Sequence, residues 1–313
     1  MRILIIDEVH DILLKKLKEE EYNINYSPNI KPENVRKEIP GFEGLILRSK
    51  MKIDAELIDK GKKLKFIARV GAGLENIDIT YAKEKGIHCI NSPEGNKDAV
   101  GEHTLGLLLN LNNKILQSND EVKKGIWKRE RNRGTELKNK TIGVLGYGNM
   151  GSAFARKLKG LEVNVIAYDK YKFDYSNDYV KEVTFKEFVE QTDFLSIHIP
   201  LTSENKYLIN KEYLKKFHKQ IILINTARGE IVKTDDLVSL LESGDIKGAA
   251  LDVLEYEKST FEELFDNTEL PDTMNKLIKS ERVILTPHIA GWTDESYYKV
   301  SAIVAQKIIN LFK

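Results

Sequence analysis

The chain has 313 residues, long for one domain and comfortable for two. At 41% hydrophobic and 31% charged it reads as an ordinary globular protein, and a formal charge of +1, from 49 basic and 48 acidic residues, gives no reason to expect nucleic acid or an anionic membrane as a partner. A single cysteine, Cys89, excludes an internal disulfide and suits a reducing cytoplasm; no apolar run approaches the roughly 18 residues of a membrane span, and the N-terminus turns acidic too early for a signal peptide.

From the N-terminus, short apolar runs alternate with amphipathic stretches. Early strands are expected at 2–7 (RILIID), 44–49 (GLILRS), 64–70 (LKFIARV) and 87–91 (IHCIN), with HDILLKKLKEE and DAELIDKGKK carrying apolar residues at helical spacing. The loop NSPEGNK then leads into a long helix expected over 98–125, followed by a basic loop, IWKRERNRGTELKNK. Later strands are expected at 141–146, 163–169, 194–199, 221–226, 248–253 and 282–287, and DESYYKVSAIVAQKIINLFK closes the chain as an amphipathic helix. Alternating strands and helices, with nearly continuous apolar strands, predict an α/β fold of two doubly wound parallel-sheet domains with a cleft between them. The first domain is expected over 1–94 plus 288–313 and the second over 95–287.

GVLGYGNMGSAFARKL holds G-x-G-x-x-G as Gly146, Gly148 and Gly151. Alone the spacing is weak, but here it follows a strand and opens a helix, the context of a dinucleotide-binding turn. Gly146 makes the turn, Gly148 lets a pyrophosphate approach the backbone, and Gly151 allows close helix–strand packing. The next strand ends in Asp169, an acceptor for ribose hydroxyls whose charge repels a 2′-phosphate; this favours NAD over NADP, and Lys170 and Lys172 weaken the preference. Farther on, Arg228 lies just past a strand end, where its guanidinium suits a bidentate clamp on a carboxylate, and Asp252, Glu257 and His288 follow at or after later strand ends. Strand ends at one sheet edge point into one crevice, so these four residues are expected to converge. An isolated histidine after T-P is most often a polar turn residue; the company it keeps decides otherwise here. Six histidines and one cysteine show no metal-ligand spacing.

In this order the motifs resemble the D-isomer-specific 2-hydroxyacid dehydrogenases, and among them the phosphoglycerate dehydrogenase branch. The resemblance runs through LRSK (47–50), VGAGLENID (70–78), NSPEGNKDAVGEHTLGLLL (91–109), GTELKNKTIGVLGYGNMG (134–151), HIPLT (198–202), INTARGEIV (224–232), ALDVLEYE (250–257) and TPHIAG (286–291). It implies a flavodoxin-like substrate domain beside a Rossmann NAD-binding domain. It implies that His288 exchanges a proton with the substrate hydroxyl, that Glu257 orients it, and that Arg228 holds the 2-oxo acid. It also implies a cofactor side made of Asn149, Met150, His198, Pro200, Thr226, Ala227, Asp252 and His288 besides the glycines and Asp169. Substrate-side positions are Ser49, the amides of Ala72, Gly73 and Leu74, Asn96, Arg129 and Arg228. His103 is expected to be a packed helix residue, and Glu102 to support either the site or a subunit contact. The long helix and its following loop match the family's dimer surface, so a homodimer is expected.

Three features depart from the family pattern. Lys258 replaces a usual proline, the connection 258–281 is long enough to add a short helix, and Trp292 replaces a small residue. Trp292 either lines the pocket or packs on the last helix. Arg129, Arg131, Arg133 and Lys50 are candidate phosphate ligands, or else a solvated basic surface. The expected reaction is NAD-linked oxidation of 3-phospho-D-glycerate in serine synthesis. The alternatives are a reductase of glyoxylate, hydroxypyruvate or another small 2-oxo acid, and an NAD-sensing corepressor.

Overall fold

In the computed structural model, which describes residues 1–257 and 270–313, the expected apolar runs become parallel strands, joined by two polar edge strands. The first five are β1 (Arg2–Ile5), β2 (Asn23–Tyr26), β3 (Gly44–Leu47), β4 (Phe66–Arg69) and β5 (His88–Ile90), in the spatial order β2-β1-β3-β4-β5. That is the flavodoxin-like order. The next seven are β6 (Thr141–Leu145), β7 (Asn164–Tyr168), β8 (Lys181–Glu182), β9 (Phe194–Ile197), β10 (Ile222–Asn225), β11 (Gly248–Leu251) and β12 (Val283–Leu285). Their order, β12-β11-β10-β9-β6-β7-β8, is the Rossmann order extended by one strand.

The sheets belong to two compact units. Among the described residues the first comprises Met1–Lys97 and Trp292–Lys313, and the second Asp98–Glu257 and 270–291. In the first, Ile3 and Ile5 face one core while Leu4 and Ile6 face the other, which is why the strand reads as an unbroken apolar run. Helix Asp294–Phe312 buries Val300, Val304, Ile308 and Ile309 in the core that also holds Leu13 and Leu17 of helix Asp11–Glu19. No described helix is long and apolar enough to cross a membrane.

Three elements differ from expectation. β2 (NINY) and β8 (KE) were hidden from an apolar-run reading because both are edge strands with largely exposed or half-buried side chains. The helix expected over 98–125 starts at Pro93 and is broken at Lys114, whose φ of 52° separates Pro93–Asn113 from Ile115–Lys123. Asn112 and Asn113 are poor helix formers, and Thr135 donates its hydroxyl to Oδ1 of Asn112 at 2.7 Å, tying the break to the following loop. Lys258 and the connection as far as residue 269 lie outside the described residues; the remainder includes a short helix, Asp272–Lys279, with Met274 and Leu277 buried in the second unit's core.

Candidate active site

Strand register brings the second unit's candidates to one edge. Tyr168, Leu145, Ile197, Asn225, Leu251 and Leu285 are successive partners across β7, β6, β9, β10, β11 and β12. The residues that follow them are Asp169, Gly146, His198, Thr226, Asp252 and Thr286, all at the carboxyl edge where open α/β sheets receive ligands.

Gly146 has a φ of 92°, and a Cβ there would lie 2.9 Å from the carbonyl oxygen of His198. A Cβ on Gly151 would fall 2.0 Å from the carbonyl oxygen of Gly146, so the helix packs against the turn through bare backbone. Among the described residues a Cβ on Gly148 would meet nothing within 4 Å, and no side chain caps helix Asn149–Lys157, of which Gly148 is the N-cap. Uncapped amides beside an open backbone, with half-buried Met150 next to them, fit a pyrophosphate. Asp169 accepts the amide of Tyr147 at 2.7 Å on one oxygen and those of Tyr171 and Lys172 at 2.9 and 3.1 Å on the other. It thereby braces the turn, and its remaining lone pairs suit ribose hydroxyls. His198 shares a 2.8 Å hydrogen bond with Ser196 through Nε2, and burial pushes its pKa down to about 3, so the ring is neutral. Thr226 is buried against the Thr104 hydroxyl at 3.1 Å, and Pro200 is exposed, its carbonyl accepting from Asn205 at 2.8 Å.

The loops after β10, β11 and β12 hold the proton-transfer candidates. Nδ1 of His288 lies 2.6 Å from Oε2 of Glu257. The other oxygen of Glu257 accepts the amide of Leu254, so the carboxylate is fixed to its own turn. His288 has a φ of 56°, a left-handed conformation in which histidine is enriched but still strained. Asp252 holds it there. Its carbonyl accepts the His288 amide at 2.8 Å, and its fully buried carboxylate accepts the Thr286 hydroxyl at 2.6 Å and the amides of Ile289 and Ala290 at 2.9 and 2.8 Å. Nε2 of His103 lies 3.4 Å from the same carboxylate and 3.2 Å from the Thr286 hydroxyl. Burial alone raises this carboxyl's pKa, yet the bonds from His103, Thr286, Ala290 and Ile289 outweigh it and hold the group below the ordinary carboxylate range.

Arg228 follows a turn shaped by buried Asn225, which accepts the Ala227 amide at 3.0 Å and donates to the Arg228 carbonyl at 2.9 Å. Gly229 comes next because a Cβ there would lie 2.0 Å from the Leu254 carbonyl; the Arg228 loop and the turn carrying Glu257 therefore touch. Of the basic loop, Arg131 pairs with Glu121 and Glu281, and Arg133 with Glu130, whereas exposed Arg129 has no ion pair among the described residues. Glu102 pairs with Lys157 at 2.6 Å.

The first unit carries its own candidates. One oxygen of Asp7, just past β1, accepts the amides of Arg48, Ser49 and Lys50 at 2.6, 3.1 and 3.2 Å and so shapes the loop that bears Ser49. Lys50 spends its ammonium on the carbonyls of Pro28 and Ile30. After β4, the Ala72 carbonyl accepts from Asn91 at 2.6 Å, while the amides of Ala72, Gly73 and Leu74 donate to no acceptor among the described residues, as an anion nest requires. Oδ1 of Asn96 is buried without a hydrogen-bond partner among the described residues. Trp292 packs on the last helix, its ring 6.0 Å from that of Tyr297, and also covers Arg48, whose guanidinium carbon sits 4.3 Å from the Trp292 ring centre.

Residues 105–290 match the family model for the D-isomer specific 2-hydroxyacid dehydrogenase NAD-binding domain. The chain belongs to that family, and its second unit binds NAD. It is 36% identical to a D-3-phosphoglycerate dehydrogenase of Archaeoglobus fulgidus over 100% of this chain, but it spans only 58% of that relative. It is 35% identical to a hydroxypyruvate reductase of Thermotoga maritima over 96% of this chain and 94% of the relative. A D-lactate dehydrogenase with NAD+ from Lactobacillus jensenii superposes with a TM-score of 0.80 at 28% identity, covering 99% of this chain and 96% of that one.

Sequence reading missed how some residues hold others in place. Asp7, His103, Asn225 and the Arg48–Trp292 stack act through fixed backbone or rings, and no spacing along the chain gives those partners. The hint for Asp7 was positional, an aspartate directly after an apolar run.

Proposed function

We propose that this chain interconverts a D-2-hydroxy acid and its 2-oxo acid with NAD, and that the pair is 3-phospho-D-glycerate and phosphohydroxypyruvate. The carrying observation is the 2.6 Å contact between Glu257 and His288 beside the Arg228 loop. NAD, when bound by the second unit, would supply or accept the hydride. Glu257 keeps a proton on Nδ1 of His288, which leaves Nε2 to take the hydroxyl proton or return it. Arg228 clamps the carboxylate and polarises the carbonyl; in the first unit, the amides of Ala72, Gly73 and Leu74 form a nest suited to an anion. Arg129, the basic-loop arginine without an ion pair among the described residues, is assigned to the phosphate.

A second reading, reduction of hydroxypyruvate, is favoured by similarity to the Thermotoga maritima protein over 94% of its length and by the engagement of Lys50 with backbone carbonyls. Rates with NADH on phosphohydroxypyruvate, hydroxypyruvate, glyoxylate and pyruvate separate the two. Loss of the phosphate is expected to lower kcat/KM roughly 10- to 100-fold, the worth of a hydrogen bond to a charged group. Equal kcat/KM for the first two substrates rejects the phosphorylated one.

We propose that the protein works as a homodimer in the cytoplasm. Helix Ile115–Lys123 and the loop after it expose Ile115, Leu116, Val122, Ile126 and Trp127, the last 77% exposed. Leu116→Glu combined with Trp127→Glu should turn a dimer into a monomer in sedimentation velocity without unfolding either unit. An unchanged sedimentation coefficient removes this face from the interface.

A further inference from the structure

Two lysines directly follow Asp169, at the corner where the adenosine ribose is received. A 2′-hydroxyl needs an acceptor there, whereas a 2′-phosphate needs cations, so the choice of dinucleotide turns on whether those ammonium groups are free. Neither is. Lys172 donates to the Tyr147 carbonyl at 3.2 Å, with its ammonium 5.2 and 5.9 Å from the ring centres of Tyr147 and Tyr175, themselves stacked at 4.5 Å. Lys170 is ion-paired with Glu204, whose other oxygen accepts the Tyr171 hydroxyl at 2.7 Å. Glu204 lies beyond β9, in a turn where the Thr202 hydroxyl accepts the Asn205 amide at 3.2 Å. Its partners lie beyond β7, so two loops meet at this corner and bring a second carboxylate onto the side chains of the two residues that follow Asp169.

We infer that Glu204 is a specificity-determining residue for the dinucleotide: it ties down Lys170 and adds negative charge, so that Asp169 and Glu204 together exclude a 2′-phosphate. The inference rests on NAD binding by the second unit and goes beyond the single strand-end acid. Neutralising Glu204 releases an ammonium that can turn to a phosphate while Asp169 stays in place. The pair is half exposed, so the effect is moderate and sensitive to salt.

The test is calorimetric titration of NADH and NADPH into the purified full chain, which reads binding without turnover. Glu204→Gln is expected to lower the ratio of the NADPH to the NADH dissociation constant roughly two- to fivefold at low salt, and less at high salt. Adding Lys170→Met to Glu204→Gln should abolish that gain. An unchanged ratio in Glu204→Gln overturns the inference, and so does a gain that survives Lys170→Met. Failure of the unmodified chain to bind NADH is a different result, and overturns the cofactor reading on which the inference stands.

Discussion

His288→Asn is expected to lower kcat by roughly 10²- to 10⁴-fold, the range for a positioned general acid–base group, while NADH still binds. Asparagine is the better probe than alanine because it tolerates the left-handed backbone that His288 adopts at a φ of 56°. The loss then reports the imidazole and not a displaced loop. Glu257→Gln should act in the same direction with a smaller loss, in kcat more than in KM. It keeps the shape of the 2.6 Å contact but removes the charge that fixes the tautomer. Steady-state rates beside calorimetric NADH binding check both. Near-normal turnover in His288→Asn takes His288 out of the mechanism.

Asp252→Ala is expected to cost both stability and rate, because it removes the anchor under that histidine. The carboxylate is fully buried and serves Thr286, Ile289 and Ala290 directly, with His103 beside it. Its loss strands the amides of Ile289 and Ala290, and the buried one, Ala290, costs about 1–3 kcal/mol when unsatisfied. Thermal unfolding should shift down by several degrees and kcat should fall. The pH dependence has a definite sign. The native carboxyl is held below its ordinary value, so its stabilisation is complete above that value and is lost as pH falls through the lowered native pKa. The variant should therefore lose less stability than the unmodified protein on acidification. Full thermal stability and normal kcat in Asp252→Ala contradict the anchoring role.

Motifs with strict local geometry were legible from the chain alone. Gly146 and Gly151 are readable because only glycine fits backbone that close, and Asp169 is readable because it ends a strand after the glycine turn. The two doubly wound sheets were equally visible, since strands buried on both faces must be apolar throughout. The edge strands β2 and β8 were not, because an edge tolerates polar residues. Nor was the break at Lys114, which depends on Thr135, 23 residues beyond its partner Asn112.

The amino-acid sequence by itself determined the fold class, the family and the dinucleotide turn, because each is written in local spacing and residue type. Tertiary structure alone decided which charges are occupied. It joined Lys170 to Glu204, sent Lys50 to backbone carbonyls, put Arg48 under Trp292 and gathered three loop donors onto Asp252. A side chain's partner is set by which strand ends the sheet order brings side by side, and spacing along the chain does not encode that order.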